Sequence, residues 1–162
     1  MVDSLTPAQR SERMSRIRSM NTKPEVNLRK ALHRLGFRFR LHGRKLPGKP
    51  DIVLPKHRTV VLVHGCFWHR HPGCKVATVP KSNTEFWLAK FSKNVTRDEQ
   101  ISQQLEADGW RVFVVWECDV DTQRKADAAA LELADMIRRN GPPSPFRSTE
   151  TLPNEQQPIK RL

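Results

Sequence analysis

Three short apolar segments place the tightest constraint on how this chain can fold. They cover residues 51–54, 59–63 and 110–116, and none approaches the roughly 20 residues that a membrane-spanning helix needs. Short β-branched runs bounded by polar sequence are typical of buried strands. The tight 55–58 turn predicts an antiparallel hairpin between the first two, and residues 110–116 read as a fully buried strand. We therefore exclude an integral membrane protein and expect a small β-sheet.

The remaining periodic segments predict helices around that sheet. Leu28, Ala31, Leu32 and Leu35 follow the spacing of one buried helical stripe, in a helix that begins at Pro24 and ends at Gly36. Further helices are predicted over 84–91, 94–107 and 124–139. Residues 37–41 are predicted to form a half-buried strand, and residues 64–82 to be irregular. The order of these elements predicts an α/β domain with a mixed central sheet flanked by helices.

The charge of the chain is concentrated at one end. The net charge is +12 over 162 residues, and residues 1–50 hold 13 Lys and Arg against 3 Asp and Glu. Such an excess favours a polyanionic partner, of which nucleic acid is the commonest, although a solvated basic face without a ligand is the alternative. We predict a basic DNA-contacting arm over residues 1–22, with Arg16 and Arg18 among its phosphate contacts. Residues 141–162 are predicted to be a disordered tail.

Cys66, His71, Cys74 and Cys118 form a possible metal-ligand set. Three thiolates and one imidazole match a closed tetrahedral zinc site, which would be structural because no coordination position stays open. That site would tie the 64–82 segment to the end of the strand over 110–116. The alternative is that the thiols are free and His71 only supports the loop.

Two adjacent aromatic pairs lie near this set. Phe67 and Trp68 are consecutive, and in an extended loop they cannot both enter the same core, so one is a candidate wedge between DNA bases. Phe86 and Trp87 are followed by Lys90, which predicts a stacking surface beside a phosphate-binding cation. Ordinary core packing is the alternative for both pairs.

Acidic and histidine residues complete the candidate chemistry. Asp51 opens an apolar strand, and its carboxylate would emerge at the rim of the sheet, where a divalent ion could bind. Glu25 and Asp98 are further oxygen donors. Each of these acids taken alone is more typical of a surface carboxylate. The acids indicate a specific site only in combination with His64 and His69.

Seven stretches of the chain together resemble the very-short-patch repair (Vsr) DNA mismatch endonucleases, over about residues 10–140. They are NTKPE at 21–25, LPGKPD at 46–51, HGCFWHRH at 64–71, EFW at 85–87, KNV at 93–95, RD at 97–98 and VWEC at 115–118. The resemblance implies a restriction-endonuclease-like core, with the Vsr-type domain over residues 23–140. It also implies an enzyme that nicks one DNA strand 5′ to the thymine of a T:G mismatch left by 5-methylcytosine deamination.

The resemblance also assigns roles around a catalytic magnesium ion. It implies that Asp51 and the backbone carbonyl of Val63 bind Mg²⁺, and that Glu25 holds metal-bound water. His64 and His69 resemble the catalytic pair, with His69 as general base, and Asp98 orients a histidine.

The remaining assignments concern structure and DNA binding. Cys66, His71, Cys74 and Cys118 match the structural Zn²⁺ ligands. Phe67, Trp68 and Trp87 match the aromatics that intercalate at the mismatch, and Lys49 and Lys90 are expected to contact phosphates.

The expected partner is double-stranded DNA carrying a T:G mismatch. We expect a monomer in the bacterial cytoplasm, associated with the nucleoid, and with a functional link to a DNA cytosine methyltransferase and to mismatch-repair proteins. The alternative function is a zinc-stabilised DNA-binding module without catalysis. That alternative explains the charge, the aromatics and the cysteines, but not the combination of Asp51, His64 and His69.

Overall fold

A computed structural model describes residues 6–139, and its secondary structure follows the predicted α/β order. The helices are α1 (Pro7–Ser15), α2 (Lys23–Arg34), α3 (Cys66–His69), α4 (Thr84–Ala107) and α5 (Gln123–Arg138). The strands are β1 (Arg40–Leu41), β2 (Ile52–Leu54), β3 (Thr59–His64) and β4 (Arg111–Trp116). Short 3₁₀ turns cover Pro55–His57 and Glu117–Asp119.

The strands form one mixed sheet in the order β1-β2-β3-β4. β1 and β2 are antiparallel, and β2 and β3 form the predicted antiparallel hairpin. β3 and β4 are parallel, with Thr59 opposite Arg111 and His64 opposite Trp116. A parallel pair needs a crossover connection, and here α3 and α4 provide it.

Helices cover both faces of the sheet. The larger core lies between the sheet and helices α2 and α5, with Leu32, Val61, Phe113 and Leu133 all buried. On the other face, Leu105 of α4 packs on Val53 and Val60. Alternate residues of each strand point to opposite faces, so the three layers follow from the apolar strands.

The first predicted helix is confirmed in detail. Thr22 caps α2, Pro24 lies in its first turn, and Leu28, Ala31 and Leu32 are buried. Gly36 follows the helix with a φ of +88°, the left-handed conformation expected where a helix ends.

The prediction of separate helices over 84–91 and 94–107 is wrong, because α4 is continuous over 24 residues. One inward stripe connects the two predicted pieces at helical spacing. It consists of Trp87, Phe91, Asn94, Asp98, Ile101 and Leu105. Asn94 and Asp98, at the centre of this stripe, interrupt the hydrophobic pattern of the sequence. They nevertheless face the protein interior, as the apolar members do.

Three other predictions also need correction. The strand over 37–41 is reduced to Arg40 and Leu41, both exposed. β4 is an edge strand whose buried side chains are Phe113 and Val115, so it is not fully buried. The 64–82 segment is not wholly irregular, because it contains α3.

The predicted arm and tail are only partly described. Helix α1 lies within the arm, and residues 1–5 and the tail at 141–162 lie outside the described residues. Among residues 6–139, no helix combines the length and apolar character needed to cross a lipid bilayer.

The loop that leads into β2 packs closely against α4 at Gly48. This residue has a φ of +68°, and a Cβ there would lie 2.4 Å from Cγ2 of Ile101. Gly36 has a comparable positive φ but no atom within 4 Å of its Cβ position.

We expect Gly48→Ala to destabilise the fold more than Gly36→Ala. The left-handed backbone costs each variant about 1–2 kcal/mol, and overpacking against Ile101 adds roughly 1–3 kcal/mol to Gly48→Ala. Urea unfolding of both variants measures the difference. In an Ile101→Ala background, Gly48→Ala should destabilise the fold no more than Gly36→Ala does. If Gly48→Ala remains the more destabilising by the same amount, the packing argument is contradicted.

Candidate functional site

A cleft of about 1000 Å³ opens where β2 begins and β3 ends. Its walls come from the arm, the start of α2, the loop before β2, and helices α3 and α4. The polar residues lining it include Glu25, His42, Asp51, His64, His69, Arg97, Asp98 and Glu117. The five residues predicted for catalysis therefore share one cleft, although 73 positions separate Glu25 from Asp98 in the chain.

Asp51 is held at the edge of the sheet by β3. The pairing of β2 with β3 ends at Ile52 opposite Val61, so β3 continues without a partner strand on that side. The Asp51 carboxylate occupies this position and accepts a 2.7 Å hydrogen bond from the backbone N–H of Val63. Burial raises the pKa of Asp51 to about 6, an effect that the Val63 N–H reduces and the nearby Glu25 charge increases.

Glu25 lies in the first turn of α2 and is only 4% exposed. Its carboxylate accepts hydrogen bonds from the Asn21 N–H at 2.9 Å, the Thr22 hydroxyl at 2.9 Å and the Arg29 guanidinium at 2.8 Å. The helix cap and an ion pair one turn later thus fix this carboxylate in the cleft wall.

His42 is a site residue that sequence reasoning missed. One of its ring nitrogens lies within 4.8 Å of carboxylate oxygens of both Glu25 and Asp51. The register of β1 and β2 places it there, because Leu41 pairs with Ile52 and the next residues along are His42 and Asp51. No local sequence pattern sets this register across the 43–50 loop, so the sequence carries no direct signal for His42.

His69 and Asp98 form the closest polar pair in the cleft. Nδ1 of His69, at the end of α3, lies 2.5 Å from Oδ2 of Asp98 on α4. One turn earlier on α4, Asn94 donates a 3.1 Å hydrogen bond to the carbonyl of Trp68. The continuous α4 therefore holds α3 at two points and sets the orientation of the His69 ring.

His64, the last residue of β3, stacks on His69 with ring centroids 4.0 Å apart and planes at 11°. Burial lowers the pKa of His64 to about 4, and repulsion from a charged His69 adds to this. His64 is therefore neutral at physiological pH.

Glu117 is a second residue that sequence reasoning missed. It follows β4, lines the cleft, and accepts a hydrogen bond from the backbone N–H of Cys66. Burial raises its pKa, and the charge of Asp121 adds to the shift. The sequence signals were its place beside Cys118, a proposed ligand, and within the VWEC stretch at 115–118.

The four predicted zinc ligands come together beside the cleft. Ligand atoms of Cys66, His71, Cys74 and Cys118 all lie within 4.8 Å of one another. Burial raises the pKa of the Cys66 and Cys118 thiols and lowers that of His71. The cluster joins α3 and the following loop to the turn after β4, where the position of Cys118 at the end of a predicted strand had placed it, and it could hold a metal ion.

The aromatic residues form one cluster and do not project as separate wedges. Because α3 is helical, the extended-loop argument for Phe67 and Trp68 is wrong: both are half-buried, and both contact Trp87. Trp87 is 6% exposed, whereas its neighbour Phe86 is 59% exposed. Intercalation through Phe67, Trp68 and Trp87 stays a prediction.

The four predicted phosphate contacts occupy different places. Arg18 and Lys49 line the cleft. Arg16 is exposed on the arm beside Glu12, and the Lys90 ammonium lies 5.3 Å from the centre of the Trp68 ring. All four are exposed and accessible to a polyanion, and their contacts stay predictions.

Comparisons with known proteins agree in the type of protein they match. A family model described as "DNA mismatch endonuclease Vsr" matches residues 2–75. The type II nicking enzyme V.XorIIP of Xanthomonas oryzae pv. oryzae is 48% identical over 132 residues, which are 82% of this chain and 93% of that protein. The type II nicking enzyme V.NmeAIP of Neisseria meningitidis is 50% identical over 120 residues, 74% of this chain and 85% of the relative. The DNA mismatch endonuclease Vsr of Escherichia coli is 42% identical over 131 residues, 81% and 83% of the two chains.

Proposed function

The chain belongs to the Vsr family of DNA mismatch endonucleases and is a DNA endonuclease, and from this premise we propose that it nicks one strand of duplex DNA 5′ to the thymine of a T:G mismatch, with magnesium as cofactor. The observation that carries the proposal is the single cleft containing the carboxylate of Asp51 and the His69–Asp98 pair. A non-catalytic DNA-binding module would have no use for this combination.

The residues around Asp51 fit a hard divalent cation. Asp51 and Glu25 place carboxylate oxygens within 4.8 Å of each other, and carboxylate oxygens are the ligands that Mg²⁺ prefers. Burial raises the pKa of Asp51 although the Arg29 charge opposes the shift, and a bound divalent cation would favour the ionised carboxylate. Asp51 and the carbonyl of Val63 would hold the ion, with Glu25 as the second carboxylate. When bound, magnesium supplies positive charge to the transition state of phosphodiester hydrolysis and lowers the pKa of water.

His69 would act as the general base. A carboxylate can only accept hydrogen bonds, so Asp98 assigns the proton of the neutral His69 ring to Nδ1 and leaves the lone pair on Nε2. Nε2 can then take a proton from the attacking water, and Asp98 stabilises the imidazolium that results. This is the orienting role predicted for Asp98.

His64 would contribute as a neutral ring. Its depressed pKa keeps it uncharged, so it does not compete with His69 for a proton or repel the protonated base. Its ring also restricts His69 by stacking on it. We propose that its N–H donates a hydrogen bond to the scissile phosphate.

DNA would contact the basic residues and the aromatic cluster at different places on the protein. The basic arm with Arg16 and Arg18, together with Lys49 and Lys90, would neutralise backbone phosphates. The aromatic cluster would open the base stack at the mismatch. Since Trp87 is buried under Phe67 and Phe86, its insertion would require a rearrangement of that cluster.

The substrate implies an upstream reaction and a cellular setting. A T:G mismatch arises when 5-methylcytosine loses its amino group, so a DNA cytosine methyltransferase must act first. We propose that the enzyme works in the bacterial cytoplasm, and that its sheet and cleft form a restriction-endonuclease-like core.

Duplexes that differ at one base pair test the substrate proposal. With MgCl₂, we expect the T:G duplex to be nicked on the thymine strand and the T:A and C:G duplexes to stay intact, as read by denaturing gels with each strand labelled. EDTA should abolish nicking. Equal cleavage of T:G and T:A, or activity in EDTA, would contradict the proposal.

Asp51→Asn tests the metal assignment at nearly constant side-chain volume. We expect nicking of the T:G duplex to fall by roughly 10²-fold or more, the scale seen when one charge-stabilising group is lost. Binding measured by gel shift should persist. Asp108→Asn, at an exposed position beyond α4, is the matched control and should nick normally. Full activity of Asp51→Asn would refute the role of Asp51.

We also propose that the Cys/His cluster holds structural zinc, because three thiolates and an imidazole within 4.8 Å match its tetrahedral ligand set. The purified protein should contain one equivalent of zinc. His71→Ala should lower zinc content and the thermal unfolding midpoint, since ion binding contributes to folding free energy. His33→Ala, at an exposed site on α2, should keep the zinc. Unchanged zinc in His71→Ala would rule out this ligand set.

A further inference from the structure

We propose that His42 supplies an imidazole nitrogen to the cation site of Asp51 and Glu25, so that the site has a mixed nitrogen and oxygen donor set. This inference rests on the proposed metal-dependent nuclease. It adds a ligand that neither the sequence motifs nor the predicted pair of Asp51 and the Val63 carbonyl contains.

The three donor atoms already lie close together. A ring nitrogen of His42 and one carboxylate oxygen each from Glu25 and Asp51 are all within 4.8 Å of one another. Two ligand atoms at about 2.1 Å from a common ion are at most about 4.2 Å apart. Small side-chain rotations therefore suffice to bring all three onto one ion.

The backbone holds His42 at this position under strain. His42 has a φ of +50°, a left-handed conformation that is uncommon for residues other than glycine. Its N–H donates a 3.2 Å hydrogen bond to the carbonyl of Asp51. The pairing of β1 with β2 thus fixes the distance between His42 and Asp51, and the strained conformation directs the imidazole into the cleft.

One of the two polar neighbours of His42 Nε2 is of the kind that a metal-ligating histidine uses. Nε2 of His42 lies 3.2 Å from the side-chain carbonyl of Asn21, to which an Nε2–H can donate. Ligating histidines almost always donate their second ring N–H to an oxygen, which leaves the first nitrogen with a free lone pair. With the proton on Nε2, the free lone pair of His42 is on Nδ1. The Arg29 guanidinium also lies 3.5 Å from Nε2.

Asn21 is itself held rigidly. Its side-chain carbonyl accepts a 2.7 Å hydrogen bond from Arg29, and its backbone N–H donates to Glu25 at 2.9 Å. Arg29 also donates to Glu25 at 2.8 Å. His42, Asn21 and Arg29 therefore form one network around the acidic pair, and the His42 ring has a defined orientation before any ion binds.

A neutral imidazole would change which ions the site accepts. Mg²⁺ favours oxygen ligands, whereas imidazole strengthens binding of first-row transition ions. A mixed site should consequently hold Mn²⁺ more tightly, relative to Mg²⁺, than a site built only from oxygen donors.

Pulsed electron paramagnetic resonance of Mn²⁺ on the zinc-loaded protein tests the proposal directly. The wild type should show coupling of Mn²⁺ to a directly bound nitrogen, and labelling with ¹⁵N-histidine should change that coupling. His42→Gln should lose it and bind Mn²⁺ roughly 10-fold or more weakly, within the range seen when metal-site contacts are removed, with a smaller loss for Mg²⁺. His33→Gln, the matched surface control, and His69→Gln should keep the coupling.

The outcomes separate this inference from the proposed function. If Mn²⁺ binds the wild type in an Asp51-dependent way without nitrogen coupling, or if the coupling survives His42→Gln, His42 is not a ligand and the nuclease proposal stands. If Asp51→Asn binds Mn²⁺ as the wild type does, the metal site itself is wrong. If His42→Gln fails to fold, the absence of nitrogen coupling in the wild type still overturns the proposal.

Discussion

The parallel pairing of β3 with β4 is the constraint on which the rest of the molecule depends. Six residue pairs align the two strands from Thr59–Arg111 to His64–Trp116. Since parallel neighbours cannot be joined by a tight turn, the chain must cross one face of the sheet between them. That crossover contains α3 and α4, and it brings His69 and Asp98 to the end of β3, where His64 lies.

The same pairing makes two sites adjacent. Between residues 64 and 71 the two sites alternate along the chain. His64 and His69 line the cleft, whereas Cys66 and His71 belong to the Cys/His cluster. Trp116 lies between the two groups, in edge contact with His64 and stacked on His71 with centroids 4.4 Å apart. An ion bound by the cluster would therefore stiffen α3, and with it the orientation of His69, in addition to the contacts that α4 makes.

On the other side of the cleft, the acidic residues depend on the junction between the arm and α2. Asn21 has a φ of +56° and lies where the basic arm ends, and its N–H binds Glu25. The positively charged segment that would meet DNA thus joins the cleft wall through the same few residues that orient the carboxylates. Under the proposed function, DNA binding and catalysis would both depend on this junction, through basic residues of the arm and acidic residues of the cleft.

Local pattern was sufficient for much of the fold and for the members of the Cys/His cluster, whereas the roles predicted for the cleft residues came from the family resemblance. The buried stripe of α2, its cap and the β2–β3 hairpin follow from spacing and turn chemistry within a few residues. The four members of the Cys/His cluster could be selected by residue type, because few other residues suit a closed metal site. The continuity of α4 could not be predicted by hydrophobicity, since Asn94 and Asp98 face inward for their hydrogen bonds to α3.

The sequence by itself determined the α/β order of elements, the basic first third and the types of side chain available for chemistry, because these depend on composition and short-range periodicity. Only the tertiary structure decided which of those side chains meet. His42 reaches Asp51 through strand register, Glu117 reaches the cleft through the end of β4, and Trp87 is covered by neighbours from α3. Each of these depends on contacts between residues distant in the chain, which no local pattern records.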